Sequence, residues 1–158
     1  MSRSCNNSDV ADFDCEELRC PFASGGFRHA AKGIHTTGRR KGQKAVCKWF
    51  KRGHVFENEF YTDDIKAMEK AVDLVRLWNN ENIISQRIRV NVPEAWTFDA
   101  GEVFVKDTKV LVEPFIENYK KFNSNSGWNS SSTPWHEVMQ ALSHFSYHIS
   151  GGRYLLWR

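Results

Sequence analysis

Three features of the sequence carry residue types that can hold a nucleoside triphosphate. Gly25 and Gly26 form a glycine pair between two apolar segments, and Lys48 lies within the later apolar stretch AVCKWF. Glu69 follows in a segment with helical periodicity. Glycines allow a backbone to approach phosphates closely, a strand lysine neutralises their charge, and a helix carboxylate holds the lysine in place. The order of these features therefore predicts a phosphate-binding site.

Each feature also has a simpler structural explanation. A glycine pair is common in ordinary turns, and this one lacks the G-x-G-x-x-G spacing of a glycine-rich nucleotide loop. Lys48 can face water from an edge strand with its alkyl stem along apolar surface, and Glu69 can solvate a helix. These alternatives stay open for each residue alone, whereas the combination favours the site.

The hydrophobic pattern predicts the elements that position these residues. Apolar residues flank the glycine pair from Pro21 to His35, which predicts two strands and a glycine turn. A central strand is predicted around Lys48. Helical periodicity runs from Thr62 to Asn79, with Thr62 or Asp63 as the N-cap. Two apolar runs around residues 106–108 predict a hairpin.

The C-terminal third predicts a second helix. Thr133 and Pro134 suit an N-cap and a first-turn proline, and apolar residues then recur at helical spacing as far as Ile149. Gly151-Gly152 ends the helix, and the last six residues begin a strand. Antiparallel strands with a packed helix indicate an α+β fold.

Composition limits the class of protein. A chain of 158 residues with 41% hydrophobic residues suits one packed domain. Residues 1–20 are polar and acidic and are expected to be a flexible leader, which leaves 21–158 as the domain. No apolar run approaches the roughly 18 residues of a membrane span. Four cysteines are too few for a disulfide framework, which favours a reducing, cytoplasmic setting.

The segment from Lys32 to Arg52 is basic and contains no acidic residue. It could meet the phosphates of a nucleic acid, but a solvated basic loop explains it more simply. The net charge of +3 creates no global field that would attract nucleic acid or a membrane surface. We therefore expect neither as a partner.

Several separated motifs resemble the alpha-kinase family of atypical protein serine/threonine kinases. The strongest are EPFIENYKKFNSNSGW at 113–128 and MQALSHFSYHISGGRYLL at 139–156. PFASGGFRHAAKG, AVCKWF and IRVNVPEAWTF are also similar to the family, so the resemblance runs from about Pro21 to the last few residues. It implies ATP-dependent phosphate transfer to Ser or Thr of a protein substrate.

The resemblance assigns roles to residues of the first half. It implies that Lys48 contacts the nucleotide phosphates and that Glu69 is its helix partner. Arg28 matches an arginine near the phosphates, beside the glycine turn of Gly25 and Gly26. These residues together would form the phosphate side of an ATP site.

Further roles follow for the EPFIENYKKFNSNSG motif. Glu113 and Phe115 fall at the hinge, where backbone groups hold adenine. Lys121, Asn123 and Asn125 match residues after the hinge that approach the ribose or the phosphates. The stretch after the hinge is thus expected to be a binding turn, although its small polar residues look like a linker.

Metal ions are expected for the complete family domain. The family uses Mg²⁺ in transfer and holds Zn²⁺, and His144 matches one zinc ligand. A tetrahedral zinc site needs four ligands, so this chain is not expected to bind zinc. In the family, the strand similar to GGRYLL continues into a catalytic aspartate, whereas here Trp157 and Arg158 follow. The resemblance therefore implies an incomplete alpha-kinase fold: an antiparallel, kinase-like nucleotide-binding N-lobe with one packed helix, plus the start of a C-lobe, truncated and inactive.

Two further expectations follow from truncation. The alternative function is a catalytically dead nucleotide-lobe module that binds ATP weakly or docks a partner as a decoy. The apolar face of the helix at 134–149, with Trp135, Met139, Leu142 and Phe145, would be exposed, which predicts a partner or aggregation.

Overall fold

The computed structural model describes residues 2–6, 9–51, 57–100, 102–104, 107–122 and 133–156. The strands are β1 (Ser2–Asn6), β2 (Asp9–Phe13), β3 (Ala23–Ser24), β4 (Arg28–His35), β5 (Lys44–Phe50), β6 (Glu94–Ala100) and β7 (Lys109–Pro114). The helices are α1 (Cys15–Arg19), α2 (Glu57–Asn80) and α3 (Pro134–Ile149). This arrangement confirms the predicted α+β fold.

The chain forms two compact units. The first comprises 1–66 and 91–115, and the second comprises 67–90 and 116–158. The boundary between residues 66 and 67 falls within α2. No helix in the described ranges is both long enough and apolar enough to cross a membrane.

All strand pairs of the first unit are antiparallel. The order is β2-β1-β6-β7-β5-β4-β3, and β2 also pairs with β4, so the strands other than β3 close into a ring. The side chains directed into this ring form a core of buried residues: Ala11, Phe13, Leu18, Ala31, Ala45, Cys47, Trp96, Phe98, Val110 and Val112. The strands of the ring can be short and still stable, because each is paired on both sides and contributes to one shared core.

Gly33 allows β2 and β4 to approach and complete the ring. Gly33 is the register partner of Phe13, and a Cβ on Gly33 would lie 2.3 Å from Phe13 Cδ1 and 2.6 Å from the Asp12 carbonyl oxygen. No side chain fits in that space without moving backbone. The glycine is therefore required by packing.

The described residues 2–6 and 9–20 belong to the sheet and the core of the first unit, whereas the sequence predicted a flexible leader there. β1 pairs with β6, β2 pairs with β4, and Ala11 and Phe13 are fully buried. Leu18 of α1 is also buried in the same core. Polar composition does not reveal these strands because they are held by pairing with strands far along the chain, and β2 contributes only alternate side chains to the core.

Three element boundaries also differ from the sequence prediction. α2 begins at Glu57, so Thr62 and Asp63 lie inside the helix and do not cap it. The hairpin strand that precedes β7 is Glu94–Ala100, which begins just after Pro93, and the described residues 102–104 form no strand. The described residues 153–156 form no strand.

The second unit packs α3 against the later part of α2. Val75, Trp78 and Leu142 are buried together, and Met139 and Phe145 pack against them. The rings of Trp78 and Phe145 meet edge to face with centroids 5.4 Å apart. The apolar stripe of α3 is thus largely covered, which corrects the expected exposed patch; Trp135 alone of the four predicted residues is exposed, at 42%.

Both ends of α3 agree with the prediction. Thr133 is the N-cap and Pro134 begins the helix. Gly151 and Gly152 follow with φ angles of 62° and 79°, in the left-handed region that favours glycine. The helix therefore ends where the glycine pair permits the chain to turn.

Candidate functional site

The predicted phosphate-binding residues of the first unit lie on one face of its sheet. Side chains alternate along β4, β5 and β7, and one set enters the core while the other forms what we call the outward face. Lys48 is opposite Ala30 of β4 and Leu111 of β7, and Val46 is opposite Glu113. The register thus brings Lys48 and Glu113 to the same face, on adjacent rungs.

Lys48 forms an ion pair with Glu113. The distance from Lys48 Nζ to Glu113 Oε1 is 2.6 Å, and the side chains are 31% and 15% exposed. A diagonal cross-strand pair of this kind is within reach of long side chains. The carboxylate that pairs with Lys48 is therefore Glu113, and the predicted partner Glu69 is instead an exposed residue of α2 in the second unit.

Arg28 begins β4 and joins the first turns of α2 to the outward face. Its guanidinium forms an ion pair with Asp64 and lies 4.7 Å from the centroid of the Phe50 ring. Arg28 Nε is buried and has no hydrogen-bond partner in the described part of the chain. Tyr61 anchors the same turns, because its hydroxyl donates a hydrogen bond of 2.8 Å to the Lys109 carbonyl oxygen.

The glycine turn lies between β3 and β4, next to Arg28. The Gly25 amide donates a hydrogen bond of 2.9 Å to the Arg28 carbonyl oxygen. A Cβ on Gly26 would have no atom within 4 Å, and a Cβ on Gly25 would meet only the Arg28 oxygen at 3.9 Å. Neither packing nor backbone conformation therefore requires glycine at these two positions. The open space beside them would allow a ligand to approach the backbone of the turn closely.

Phe115 follows β7 directly and continues its pairing with β5. Its amide donates a hydrogen bond of 3.1 Å to the Lys44 carbonyl oxygen, so this amide is not free to bind a nucleotide base. The Asn91 side chain donates to the neighbouring Pro114 carbonyl oxygen at 3.0 Å. The Phe115 amide and the Pro114 carbonyl oxygen are thus both engaged within the first unit, and the Phe115 side chain is partly exposed.

The remaining predicted residues belong to the second unit or lie outside the described residues. Lys121 is exposed in the second unit. Asn123 and Asn125 lie outside the described residues, so their predicted roles stay predictions. The described residues place Gly25, Gly26, Arg28, Lys48 and Glu113 in the first unit, and their binding roles stay predictions.

His144 lies on the exposed surface of α3. Its ring is next to that of His148, one helical turn on, with centroids 5.4 Å apart. No group of three or more potential metal-ligating side chains occurs among the residues that the structure describes. His144 and His148 alone do not fit a tetrahedral zinc site, which needs four ligands.

Sequence reasoning missed Asp64 and His136. Asp64 follows Tyr61 by three residues, a spacing that puts both side chains on one side of α2. His136 is buried, and its Nδ1 accepts a hydrogen bond of 3.1 Å from the Thr133 amide. The sequence does contain a signal for this contact, because His136 follows the threonine N-cap by three residues. In a capping box, the side chain at that position accepts a hydrogen bond from the N-cap amide.

The charged groups and the glycine turn determine what kind of ligand this face can bind. Lys48 and Arg28 present positive charge on one face, and the glycine turn offers backbone without side chains beside them. Each cation already has a carboxylate, which fixes its position in the absence of ligand. Burial raises the pKa of the Cys47 thiol on the inward face, so this thiol is held protonated and unreactive. The arrangement suits binding of a polyphosphate and offers no cysteine nucleophile at Cys47.

Comparison with protein families gives one match over most of the chain. The sequence model of the Alpha-kinase family matches residues 23–158. The match includes the glycine turn, Lys48 and Glu113. None of the curated proteins matches the chain.

Solved structures resemble the chain in fold. The alpha-kinase domain of myosin heavy chain kinase A in complex with AMP has a TM-score of 0.75 at 20% identity, over 92% of this chain and 69% of that one. An inactive form of that domain complexed with ATP has a TM-score of 0.73 at 19% identity, over 92% and 68%. An alpha kinase from Entamoeba histolytica has a TM-score of 0.72 at 18% identity, over 96% and 61%.

Proposed function

Because the chain belongs to the alpha-kinase family, we propose that the outward face of its first unit binds ATP as part of a protein serine/threonine kinase domain. The observation that carries the proposal is the Lys48–Glu113 ion pair on this face, with the Gly25-Gly26 turn just beyond Arg28, which is one rung from Lys48. Two of the similar solved domains are complexes with AMP and ATP, which supports a nucleotide as the ligand.

Each residue of the site would have a role that depends on its position on the outward face. The Lys48 ammonium would neutralise phosphate oxygens, and the Glu113 carboxylate would hold that ammonium in place. Arg28 would contact phosphates at the end of the face next to the glycine turn. Positioning and charge neutralisation of this kind are most of what a protein contributes to phosphoryl transfer.

The finer parts of the proposal concern residues and steps beyond the first unit. Lys121, Asn123 and Asn125 would approach the ribose or the phosphates. The acceptor would be a serine or threonine hydroxyl of a protein, and Mg²⁺ would serve the complete domain by screening the phosphates. The described cysteines, Cys15, Cys20 and Cys47, are free thiols, which supports a reducing compartment such as the cytoplasm.

ATP titration by isothermal calorimetry tests the proposal on the whole chain. Lys48→Met should weaken ATP binding about tenfold or more, because a charge-assisted contact with phosphate is lost. Lys41→Met is the matched control, since Lys41 is exposed in the loop between β4 and β5, and its ATP affinity should equal that of the unmodified chain. Equal weakening in both variants would show general charge attraction and would contradict a defined site.

Transfer of labelled phosphate to serine and threonine peptides tests the reaction separately. Transfer that is lost in Lys48→Met supports the kinase. Saturable ATP binding without any transfer supports the alternative, a nucleotide-binding module that is catalytically dead and acts as a docking protein.

A further inference from the structure

A cluster of two aromatic rings and two lysines lies at the other end of the outward face from the glycine turn. The Phe22 and Phe115 rings meet edge to face with centroids 6.3 Å apart. Lys32 Nζ lies 4.8 Å from the Phe22 centroid and 5.7 Å from the Phe115 centroid. Lys44 Nζ lies 5.7 Å from the Phe115 centroid. We call these four residues the aromatic–lysine cluster.

Strand register sets the distance between this cluster and the proposed phosphate contacts. Arg28 is opposite Phe50, the next rung of the outward face is Ala30 opposite Lys48, and the next is Lys32 opposite Val46. Successive rungs on one face are about 7 Å apart. If the terminal phosphate contacts Arg28 beside the glycine turn and an inner phosphate contacts Lys48, the rest of the nucleotide lies on the side of Lys32.

The ammonium group of Lys32 helps to hold the rings of Phe22 and Phe115 in position. Phe22 is 44% exposed, so packing alone does not fix its ring. An ammonium near the faces of two rings attracts both, and the attraction grows when a ligand excludes water from it. The Lys32 stem also adds apolar surface next to Val46. Both effects favour a flat apolar ligand such as a nucleotide base.

We propose that Lys32 is a positioning residue for the nucleotide base: it holds the rings of Phe22 and Phe115 together as the end wall of the base site. The inference rests on the proposed function, because it takes the direction of the nucleotide from phosphate contacts at Lys48 and Arg28. Lys32 and the rings of Phe22 and Phe115 would then form the base end of the site, and Lys48 with Glu113 would form the phosphate end.

Two partial ligands separate the two ends of the site. Adenosine carries the base without phosphates, and inorganic tripolyphosphate carries phosphates without a base. Calorimetric titration of the whole chain should show that Lys32→Met weakens adenosine binding about fivefold while tripolyphosphate binding is unchanged. Lys48→Met should show the reverse pattern. Lys32→Arg keeps the cation over the rings and should restore adenosine binding, since arginine also binds aromatic faces.

Further variants distinguish positioning from a general structural role. Phe22→Leu should weaken adenosine binding like Lys32→Met, and the double variant should lose little more than either single variant, because both remove one contact. Lys41→Met should change neither ligand. Thermal unfolding of each variant shows whether the fold is intact.

The outcomes also separate the inference from the proposed function. If the unmodified chain binds neither ATP nor tripolyphosphate, the proposed function fails. If it binds ATP and loses affinity in Lys48→Met, but adenosine binds Lys32→Met as well as it binds the unmodified chain, only the role of Lys32 fails. Equal loss of adenosine and tripolyphosphate affinity in Lys32→Met would also overturn that role.

Discussion

Lys48 and Glu113 meet across β5 and β7, with 2.6 Å between the ammonium nitrogen and the carboxylate oxygen. The pair is a consequence of strand register, because Val46 lies opposite Glu113 and shares its face with Lys48. The carboxylate that pairs with Lys48 therefore comes from the sheet, on the neighbouring strand β7. Any change in the pairing of β5 with β7 would move the lysine away from its acid.

The coupling energy of this pair is directly measurable. Glu113→Gln, Lys48→Met and the double variant form a cycle, and we expect a coupling of about 1 kcal/mol in the free energy of urea unfolding. Both side chains are mostly buried, so the value should exceed that of a surface pair such as Asp73 and Arg76. A coupling near zero would show that the pair does not stabilise the fold.

Alanine substitutions at Gly26 and Gly33 should differ in their effect on stability. Gly26→Ala meets open space, so the free energy of unfolding should change by less than about 0.5 kcal/mol. ATP affinity should nevertheless fall if the backbone of the turn approaches phosphates. Gly33→Ala places a Cβ 2.3 Å from the Phe13 ring and should destabilise by about 2 kcal/mol or more. Urea unfolding and ATP titration of both variants provide the measurement, and unchanged ATP affinity in Gly26→Ala would exclude the turn.

Stability should fall in mild acid because of His35. Burial, followed by the Arg40 charge, holds the pKa of His35 below the ordinary histidine value, while Asp9 and Glu94 act in the opposite direction. The unfolded chain then binds the proton at a higher pH than the folded chain. The stabilisation is complete above about pH 6.5 and is lost as the pH falls towards the folded pKa, at up to about 1.4 kcal/mol per pH unit.

Urea unfolding between about pH 5 and pH 8 measures this dependence. His35→Leu should flatten the curve, since a similar apolar volume remains in the core and nothing is left to titrate there. His148→Gln is the control, because His148 is exposed on α3. An unchanged slope in His35→Leu would show that another group causes the loss.

The N-terminal cap of α3 should contribute measurably to the second unit. The Thr133 amide donates to His136 Nδ1 at 3.1 Å, and the Thr133 hydroxyl lies 2.8 Å from the same atom. Thr133→Ala should lower the free energy of unfolding by about 1 kcal/mol. Ser85→Ala, at an exposed site outside any helix, is the control. Circular dichroism during urea unfolding tests both, and equal stability would show that the cap is dispensable.

The elements that could be predicted from the sequence are those whose information is local. The glycine turn, the strand around Lys48 and helix α3 with its threonine cap each depend on residues within a few positions of one another. The strands at residues 2–6 and 9–13 could not be found in this way. They are short and polar, and their stability comes from pairing with β6 and β4 far along the chain.

By itself the sequence determined the α+β class, the glycine turn beside Arg28, and the resemblance that directed attention to Lys48, Glu113 and Phe115. Only the tertiary structure decided that Glu113 pairs with Lys48, that β2 closes the sheet on β4, and that Lys32 lies over Phe22 and Phe115. Periodicity identifies which side chains of one strand share a face, but it contains no information on which strand is the neighbour or in which register it pairs. Contacts across strands are therefore set by the fold as a whole.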